Sequence, residues 1–197
     1  MEIKDLLKKD LMIMDLKAST KMEAIDEMVA KLKEKNIISD EAAFKNLILK
    51  REEKSSTGLG EGVAMPHAKT SVVNTPTVLF ARSNKGINYD ALDGEPVYIF
   101  FMIAASEDAH DLHIDTLAKL SKMLLNDDFT QGLKTCGTPD EVYTLIDKYS
   151  EKSQEAIKKE AKEVQNTNKK KILAVTACPT GIAHTYMAEA ALKEAGE

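Results

Sequence analysis

Hydrophobic residues recur at two different spacings along the first 149 residues. A spacing of three or four predicts amphipathic helices over about 21–35, 41–53 and 108–125, and two shorter helices over 127–133 and 138–148. The pairs Ser19-Thr20 and Ser39-Asp40, each just before a periodic segment, can supply the helix N-caps. In the third helix the positions sharing one stripe are His110, His113, Leu117, Leu120 and Leu124.

Continuous apolar runs predict strands in the same region. The runs at 77–82 and 97–104 are rich in β-branched and aromatic residues. Shorter strands are predicted at 11–14 and 63–65, the second ended by a proline. Turns are expected at 84–86 and 92–94, and the segment 54–62 has too many Gly and Ser to be regular. The alternation predicts an α/β fold.

The composition changes after Tyr149. Residues 150–170 are almost entirely charged or polar, which predicts a linker because the segment has too little apolar surface to fold alone. Residues 171–197 then read as a buried strand, a loop and a helix, the start of a parallel α/β domain that needs further strands. We therefore divide the chain into a domain at 1–149, a linker at 150–170 and a domain fragment at 171–197.

Charge and composition narrow the function classes. The net charge of −5 argues against a general nucleic-acid role. The sequence has no apolar run long enough to span a bilayer and no signal peptide, and its two cysteines form no disulfide framework, so a cytoplasmic protein is expected. We expect no cofactor.

The loop around His67 is the first candidate site. A lone His is usually structural, but Pro66 fixes the backbone before this one, and hydroxyls at Ser55, Ser56 and Thr57 can bind an anion. A neutral imidazole is an available nucleophile at cellular pH, and a phosphoryl group bound to it stays reactive.

Arg51, one helical turn before the loop, offers a fork of donors to such a phosphoryl group. The alternative for Arg51 is a surface salt bridge with Glu52 or Glu53, and spacing alone does not decide between the two.

His113 is the second candidate, since it lies near the N-terminal end of its helix, where a phosphate can bind. The alternative is a hydrogen-bonded core histidine. A metal site built from His67, His110 and His113 is conceivable, but no familiar zinc spacing is completed, so we predict none.

Cys178 lies between the strand and the helix of the second region. The helix N-terminus lowers a thiol pKa and binds phosphate, and Thr180, Gly181 and Thr185 can surround an oxyanion. A cysteine phosphatase is disfavoured because no Arg closes this loop. Cys136 has no such surroundings and is interpreted as structural.

These stretches resemble a known family. Residues 1–149 resemble the fructose/mannitol-type enzyme IIA domain of the bacterial phosphoenolpyruvate-dependent sugar phosphotransferase system, through REE at 51–53, TGLGEGVAMPH at 57–67 and HIDTLAKLS at 113–121. Residues 171–197 resemble the start of a fructose-type enzyme IIB domain, through ACPTGIAHTYMA at 177–188.

The resemblance implies a mixed β-sheet flanked by helices, followed by a strand-loop-helix fragment of the parallel IIB domain. It implies that His67 accepts phosphate from the carrier protein HPr and that Cys178 accepts it from His67. A membrane IIC domain would then deliver the sugar, fructose being the best guess. His113 would stabilise the phosphoryl group, and Arg51 would lie beside it.

The linker spans roughly 25 Å as a flexible coil, so transfer within one chain is sterically feasible. The protein would be cytoplasmic and peripheral to the membrane through IIC. The alternative function is a regulatory IIA-like protein whose phosphorylation state is read by a protein partner. The Cys178 loop argues against that alternative.

Overall fold

The computed structural model describes residues 3–108 and 110–150, and within α4 it describes only the backbone of residues 110–115. The helices, in chain order, are α1 Ile3–Leu6, a 3-10 turn Lys9–Leu11, α2 Lys21–Glu34, α3 Glu41–Lys54, α4 His110–Leu124, α5 Asp127–Thr135 and the helical residues 139–150, here α6. The strands are β1 Gly58–Gly60, β2 Val63–Ala64, β3 His67–Lys69, β4 Thr77–Ile87 and β5 Val97–Ala105.

The five strands form one mixed sheet with β5 at its centre. On one side β5 pairs with β4, antiparallel. On the other side it pairs, parallel, first with β2 and then with β3. β1 pairs antiparallel with β2 at the edge. The mixed sheet expected from the sequence is confirmed.

Helices cover both faces of the sheet, and each face has its own apolar cluster. α2 and α3 pack on one face through buried residues at helical spacing: Ile25, Met28, Val29, Leu32, Phe44 and Ile48. On the other face α1, α4, α5 and α6 pack around Phe80, Phe101 and Phe129. The predicted helices are confirmed with bounds shifted by a few residues.

Side-chain caps place the two helices that precede the candidate loop. Thr20 and Glu23 form a reciprocal capping box at the start of α2. The Asp40 carboxylate accepts the amide of Ala43 at 2.9 Å at the start of α3. A predicted cap is therefore present at the start of each helix. α3 ends at Lys54, where the Ser- and Gly-rich segment begins.

Three local predictions were wrong. Residues 11–14 form no strand: Leu11 ends a 3-10 turn, and Ile13 makes only an isolated bridge to Ala81. The 54–62 segment contains β1. The predicted turn at 84–86 lies inside β4, which continues to Ile87 through a register irregularity.

The chain around Pro66 was predicted only in part. The predicted short strand does end before this proline, as β2 Val63–Ala64, but a further strand that was not predicted, β3, starts at His67. A proline lacks the N–H needed in a sheet interior, but it is tolerated where a strand is interrupted. This interruption positions the candidate site.

Candidate functional site

His67 lies at a break in one line of the sheet. Val63 pairs with Ile99 and His67 with Ile103, so β2 and β3 keep the same register on β5. Between them Pro66 contributes only its carbonyl, which accepts the Ile103 amide at 2.9 Å. The break therefore presents the histidine without disturbing the pairing of the strands around it.

Hydrogen bonds assign the tautomer of the His67 ring. Nδ1 lies 2.8 Å from the carbonyl oxygen of Met65 and must donate to it. Nε2 lies 3.2 Å from Nε of Arg51, a group that only donates, so Nε2 is the acceptor. One neutral form satisfies both contacts: the proton is on Nδ1 and the lone pair is on Nε2.

The surroundings favour this neutral form. Burial lowers the pKa of His67, and the nearby Arg51 charge lowers it further. The Met65 carbonyl and the Glu52 carboxylate oppose the shift, but the net direction of the pKa is downward. The ring is thus neutral at pH 7, with a guanidinium beside the lone pair on Nε2.

Arg51 reaches the ring from the last turn of α3. Its Nη1 donates to the carbonyl oxygen of Ser55 at 3.0 Å, which orients the guanidinium while Nε faces His67. Of the two acidic residues proposed as its surface partners, Glu52 is buried and pairs with Lys21 at 2.9 Å. The geometry favours a position of Arg51 against the His67 loop over a surface salt bridge with Glu52.

The three hydroxyl residues of the loop differ in what they contact. The Ser55 carbonyl supports Arg51. Ser56 Oγ donates to the Tyr89 carbonyl at 3.3 Å and accepts the Gly58 amide at 3.1 Å. Thr57 is buried, and both its hydroxyl and its amide donate to Glu52, the amide at 3.0 Å. Phosphate binding by the three residues stays a prediction, and Thr57 is already engaged inside the protein.

Two glycines allow the tight hairpin of β1 and β2. A Cβ at Gly58 would lie 2.8 Å from Cα of Ala91, so no side chain fits there. Gly62 has φ +80°, and its carbonyl accepts the amides of Tyr98 and Ile99 at 2.8 and 3.0 Å. The hairpin thereby anchors the strand that leads to His67.

Sequence reasoning missed a buried polar cluster behind this hairpin. Glu52, with its side chain 5% exposed, accepts from Thr57, from the Tyr89 hydroxyl at 3.1 Å and from Lys21. Burial, followed by the Glu52 charge, raises the pKa of Tyr89 well above its usual value. A signal was available, because Glu52 follows Phe44 and Ile48 at intervals of four and therefore lies on the buried stripe of α3.

The structure does not describe the side chains of the other predicted site residues. His113 lies in the first turns of α4, where only the backbone is described. The loop residues Cys178, Thr180, Gly181 and Thr185 lie outside the described residues, as does the predicted linker from residue 151 onward. Cys136 is buried after α5, and burial raises its pKa.

A metal-binding cluster and a membrane-spanning helix are both absent from the described residues. No group of three or more His, Cys, Asp or Glu within 3–108 and 110–150 is arranged to hold a metal ion. In the same ranges no helix has the length and apolar composition to cross a membrane.

Comparison with known families matches two parts of the chain. Residues 5–149 match the family described as phosphoenolpyruvate-dependent sugar phosphotransferase system, EIIA 2. Residues 173–197 match the family described as PTS system, lactose/cellobiose specific IIB subunit. The two matches leave unmatched the segment that we predicted to be a linker.

The curated relatives include sugar-specific EIIABC components and nitrogen regulatory proteins. The fructose-specific EIIABC component of Bacillus subtilis is 42% identical over 194 residues, covering 98% of this chain but 31% of the relative. The chain therefore spans about a third of the length of that relative. A nitrogen regulatory protein of Bradyrhizobium diazoefficiens is 31% identical over 146 residues, covering 74% of this chain and 95% of the relative.

Solved structures show the same fold. The nitrogen regulatory protein IIA-Ntr of Neisseria meningitidis superimposes with a TM-score of 0.68 at 28% identity, over 73% of this chain and 98% of that one. The mannitol IIA of Escherichia coli superimposes with a TM-score of 0.61 at 24% identity, over 71% and 97%. The second likeness concerns the fold alone.

Proposed function

Because the chain belongs to the EIIA 2 family of the phosphoenolpyruvate-dependent sugar phosphotransferase system, we propose that His67 is its phosphoryl acceptor. The donor is the phosphohistidine of HPr, and the next acceptor is Cys178 of the IIB region. The observation that carries the proposal is the contact between Arg51 Nε and His67 Nε2, with Nδ1 held by the Met65 carbonyl.

The geometry supports a transfer in which no proton has to move on His67. The Nε2 lone pair gives up its hydrogen bond from Arg51 Nε and forms the new N–P bond while the donor N–P bond breaks. The electron pair of the broken bond returns to the donor nitrogen. Nδ1 keeps its proton on Met65 throughout. Arg51 lies where negative charge on the phosphoryl oxygens needs a fixed cation.

The onward step reverses this exchange. The Cys178 thiolate attacks phosphorus, an S–P bond forms, and the electron pair of the N–P bond returns to His67 Nε2. Thr180, Gly181 and Thr185 bind the phosphoryl oxygens on the acceptor loop, while His113 and the hydroxyls of Ser55 and Ser56 serve the donor side. The 150–170 linker joins the two domains, at 1–149 and 171–197.

The final acceptor is proposed to be a sugar bound by a membrane IIC domain. Fructose is the proposed sugar because a fructose-specific EIIABC component is 42% identical to 98% of this chain. A 2-O-alpha-mannosyl-D-glycerate-specific EIIABC component aligns with 100% of the chain at a lower identity of 30%. The relay would work at the cytoplasmic side of the membrane.

A regulatory role is the second candidate. Nitrogen regulatory proteins match the first 149 residues over nearly their own full length. The IIB match at residues 173–197 favours the relay, because a regulatory IIA protein needs no cysteine acceptor in the same chain.

Intact-protein mass spectrometry tests the relay. The chain is incubated with phosphoenolpyruvate, enzyme I and HPr, as wild type, His67→Ala and Cys178→Ser. We expect one acid-labile phosphoryl group that is lost in His67→Ala and kept in Cys178→Ser. No addition to the wild type, with HPr shown to be phosphorylated, would remove the relay and the regulatory reading together.

The two candidates are separated by the next acceptor. Purified phosphorylated chain is mixed with a IIB–IIC membrane preparation and labelled fructose. Formation of fructose phosphate supports the relay. A stable phosphohistidine in the presence of active IIB–IIC supports the regulatory role.

A further inference from the structure

The ring of His67 belongs to a closed circuit of contacts. His67 Nδ1 donates to the carbonyl of Met65 at 2.8 Å, and the amide of Met65 donates to the carbonyl of Thr57 at 2.9 Å. The amide of Thr57 donates to Glu52 at 3.0 Å. Glu52 is bonded through the backbone to Arg51, whose Nε returns to His67 Nε2 at 3.2 Å.

Glu52 and Arg51, although adjacent in the chain, contact different groups at the end of α3. Arg51 is partly buried beside the histidine, whereas the Glu52 side chain is 5% exposed and lies behind the loop. A carboxylate at that depth is costly unless its oxygens are satisfied. Here Oε1 accepts from the hydroxyls of Thr57 and Tyr89, and Oε2 accepts from the Thr57 amide and Lys21.

These donors come from separate parts of the fold. Lys21 is the first residue of α2, and its ammonium also lies 4.7 Å from the centre of the Tyr89 ring. Tyr89 follows β4, and its ring packs on Phe100 of the central strand at 5.4 Å. The carboxylate thus fixes the loop that precedes His67 to α2 and to the sheet.

We propose that Glu52 is a positioning residue for His67: it anchors Thr57 and, through Thr57, the Met65 carbonyl that holds the imidazole with Nε2 toward Arg51. The inference rests on the proposed function, in which Nε2 is the nucleophile. Glu52 touches neither the phosphoryl group nor the ring, so it acts through its neighbours.

The negative charge of Glu52 is a second reason for an acidic residue at position 52. The Glu52 carboxylate raises the pKa of His67, against the larger lowering by burial and the lowering by Arg51. Removing the negative charge while keeping the shape leaves the positive charge of Arg51 unopposed near the ring. The ring nitrogen then becomes less basic, and less nucleophilic toward phosphorus.

The test compares Glu52→Gln with Glu53→Gln in the full chain. Both changes remove one acidic charge at adjacent positions, but Glu53 is exposed. The tautomer and pKa of His67 are read from the ¹⁵N resonances of the ring without any phosphate or partner protein. The rate of His67 phosphorylation is then measured with phosphoramidate and with phosphorylated HPr.

We expect Glu52→Gln to lower the His67 pKa, to raise the fraction of ring with its proton on Nε2, and to slow both phosphorylations roughly tenfold, the factor for one lost charged hydrogen bond. Glu53→Gln should match the wild type. Ring resonances and rates in folded Glu52→Gln that equal those of Glu53→Gln would overturn the proposal.

A second pair keeps the test decisive if Glu52→Gln fails to fold. Thr57→Val removes one hydroxyl donor to Glu52 at nearly constant volume, and Thr57→Ser restores it. Because the hydroxyl contact holds Thr57 on Glu52 together with the amide contact of the circuit, the proposal expects altered ring resonances in Thr57→Val and wild-type resonances in Thr57→Ser. Unaltered resonances in both variants would overturn it. Since this readout needs no transfer, a wild type that accepts no phosphate would refute the proposed function and leave the positioning result standing.

Discussion

The two sides of β5 are built differently. On one side β4 pairs with it through six consecutive residues, from Thr77 to Arg82. On the other side the partner is β2 followed by β3, and Met65 and Pro66 lie between the two strands and belong to neither. The continuous side carries buried aromatic core, and the interrupted side carries the histidine.

The difference shows how a sheet can hold a reactive side chain. A continuous strand uses its backbone groups for pairing. At the interruption the Met65 carbonyl is left to accept the His67 ring, and the register on both sides of it is unchanged. We expect changes on the β4 side to reduce stability and changes on the β2–β3 side to reduce reactivity.

Phe80→Ala should have the largest effect on the β4 side. Phe80 is fully buried and packs edge-on against Phe101 at 5.4 Å, so its truncation leaves a cavity costing about 3–5 kcal/mol. Urea unfolding measures this cost. Leu92→Ala is the control, because Leu92 is 54% exposed and should change stability by about 0.5 kcal/mol or less. A cost below about 1 kcal/mol for Phe80→Ala would contradict the assignment of β4 to the core.

Arg51→Ala should slow phosphorylation of His67 by about 10²–10³-fold, the usual effect of losing one preorganised charge-stabilising donor. Initial rates with phosphorylated HPr measure the loss. Lys50→Ala removes a positive charge from the preceding, exposed residue and should retain the wild-type rate. Equal rates in the two variants would show that the contact between Arg51 and His67 has no role in transfer.

Pro66→Ala tests the interruption itself. The substitution should destabilise the protein by about 0.4–1 kcal/mol through the unfolded chain and should also slow phosphorylation, because the residue before His67 gains freedom. Pro96→Ala, at an exposed position before β5, should lose similar stability and keep its rate. A wild-type rate in Pro66→Ala would mean that the Met65 contact alone orients the ring.

The smallest effect is a pH dependence. Burial places the folded-state pKa of His67 below 6.5, so the unfolded chain binds the proton first as the pH falls. The stability contributed by the neutral ring is fully present above pH 6.5 and is lost between pH 6.5 and the lower folded-state pKa. Urea unfolding from pH 8 to pH 5 should show less decline in His67→Gln than in the wild type. An equal decline would argue against a lowered pKa.

Much of this architecture was readable from the sequence because helices and buried strands leave periodic signals. The α2 and α3 caps, both long strands and the short strand β2 were predicted from the residues, and the mixed sheet was implied by the family resemblance. The short strands β1 and β3 were missed because two or three residues, such as Gly58–Gly60, carry no measurable period and depend on partners distant in sequence.

In the candidate site, too, some features were predicted from the sequence and others were not. His67 and Arg51 were found from residue type and spacing, and the structure brings them into contact. The tautomer depends on the Met65 carbonyl, which has no side-chain signature. Glu52 was overlooked because a charged residue near a helix end is ordinarily taken as exposed, and only its partners Lys21, Thr57 and Tyr89 make burial possible.

The contact between the Met65 carbonyl and His67 also bears on which isomer of phosphohistidine is expected. A histidine can carry phosphorus on either ring nitrogen, and the two products are distinct regioisomers. Since Nδ1 carries the proton that is donated to Met65 and the lone pair is on Nε2, the proposed transfer yields 3-phosphohistidine. An antibody specific for that isomer should therefore detect the phosphorylated chain, and an antibody against 1-phosphohistidine should not.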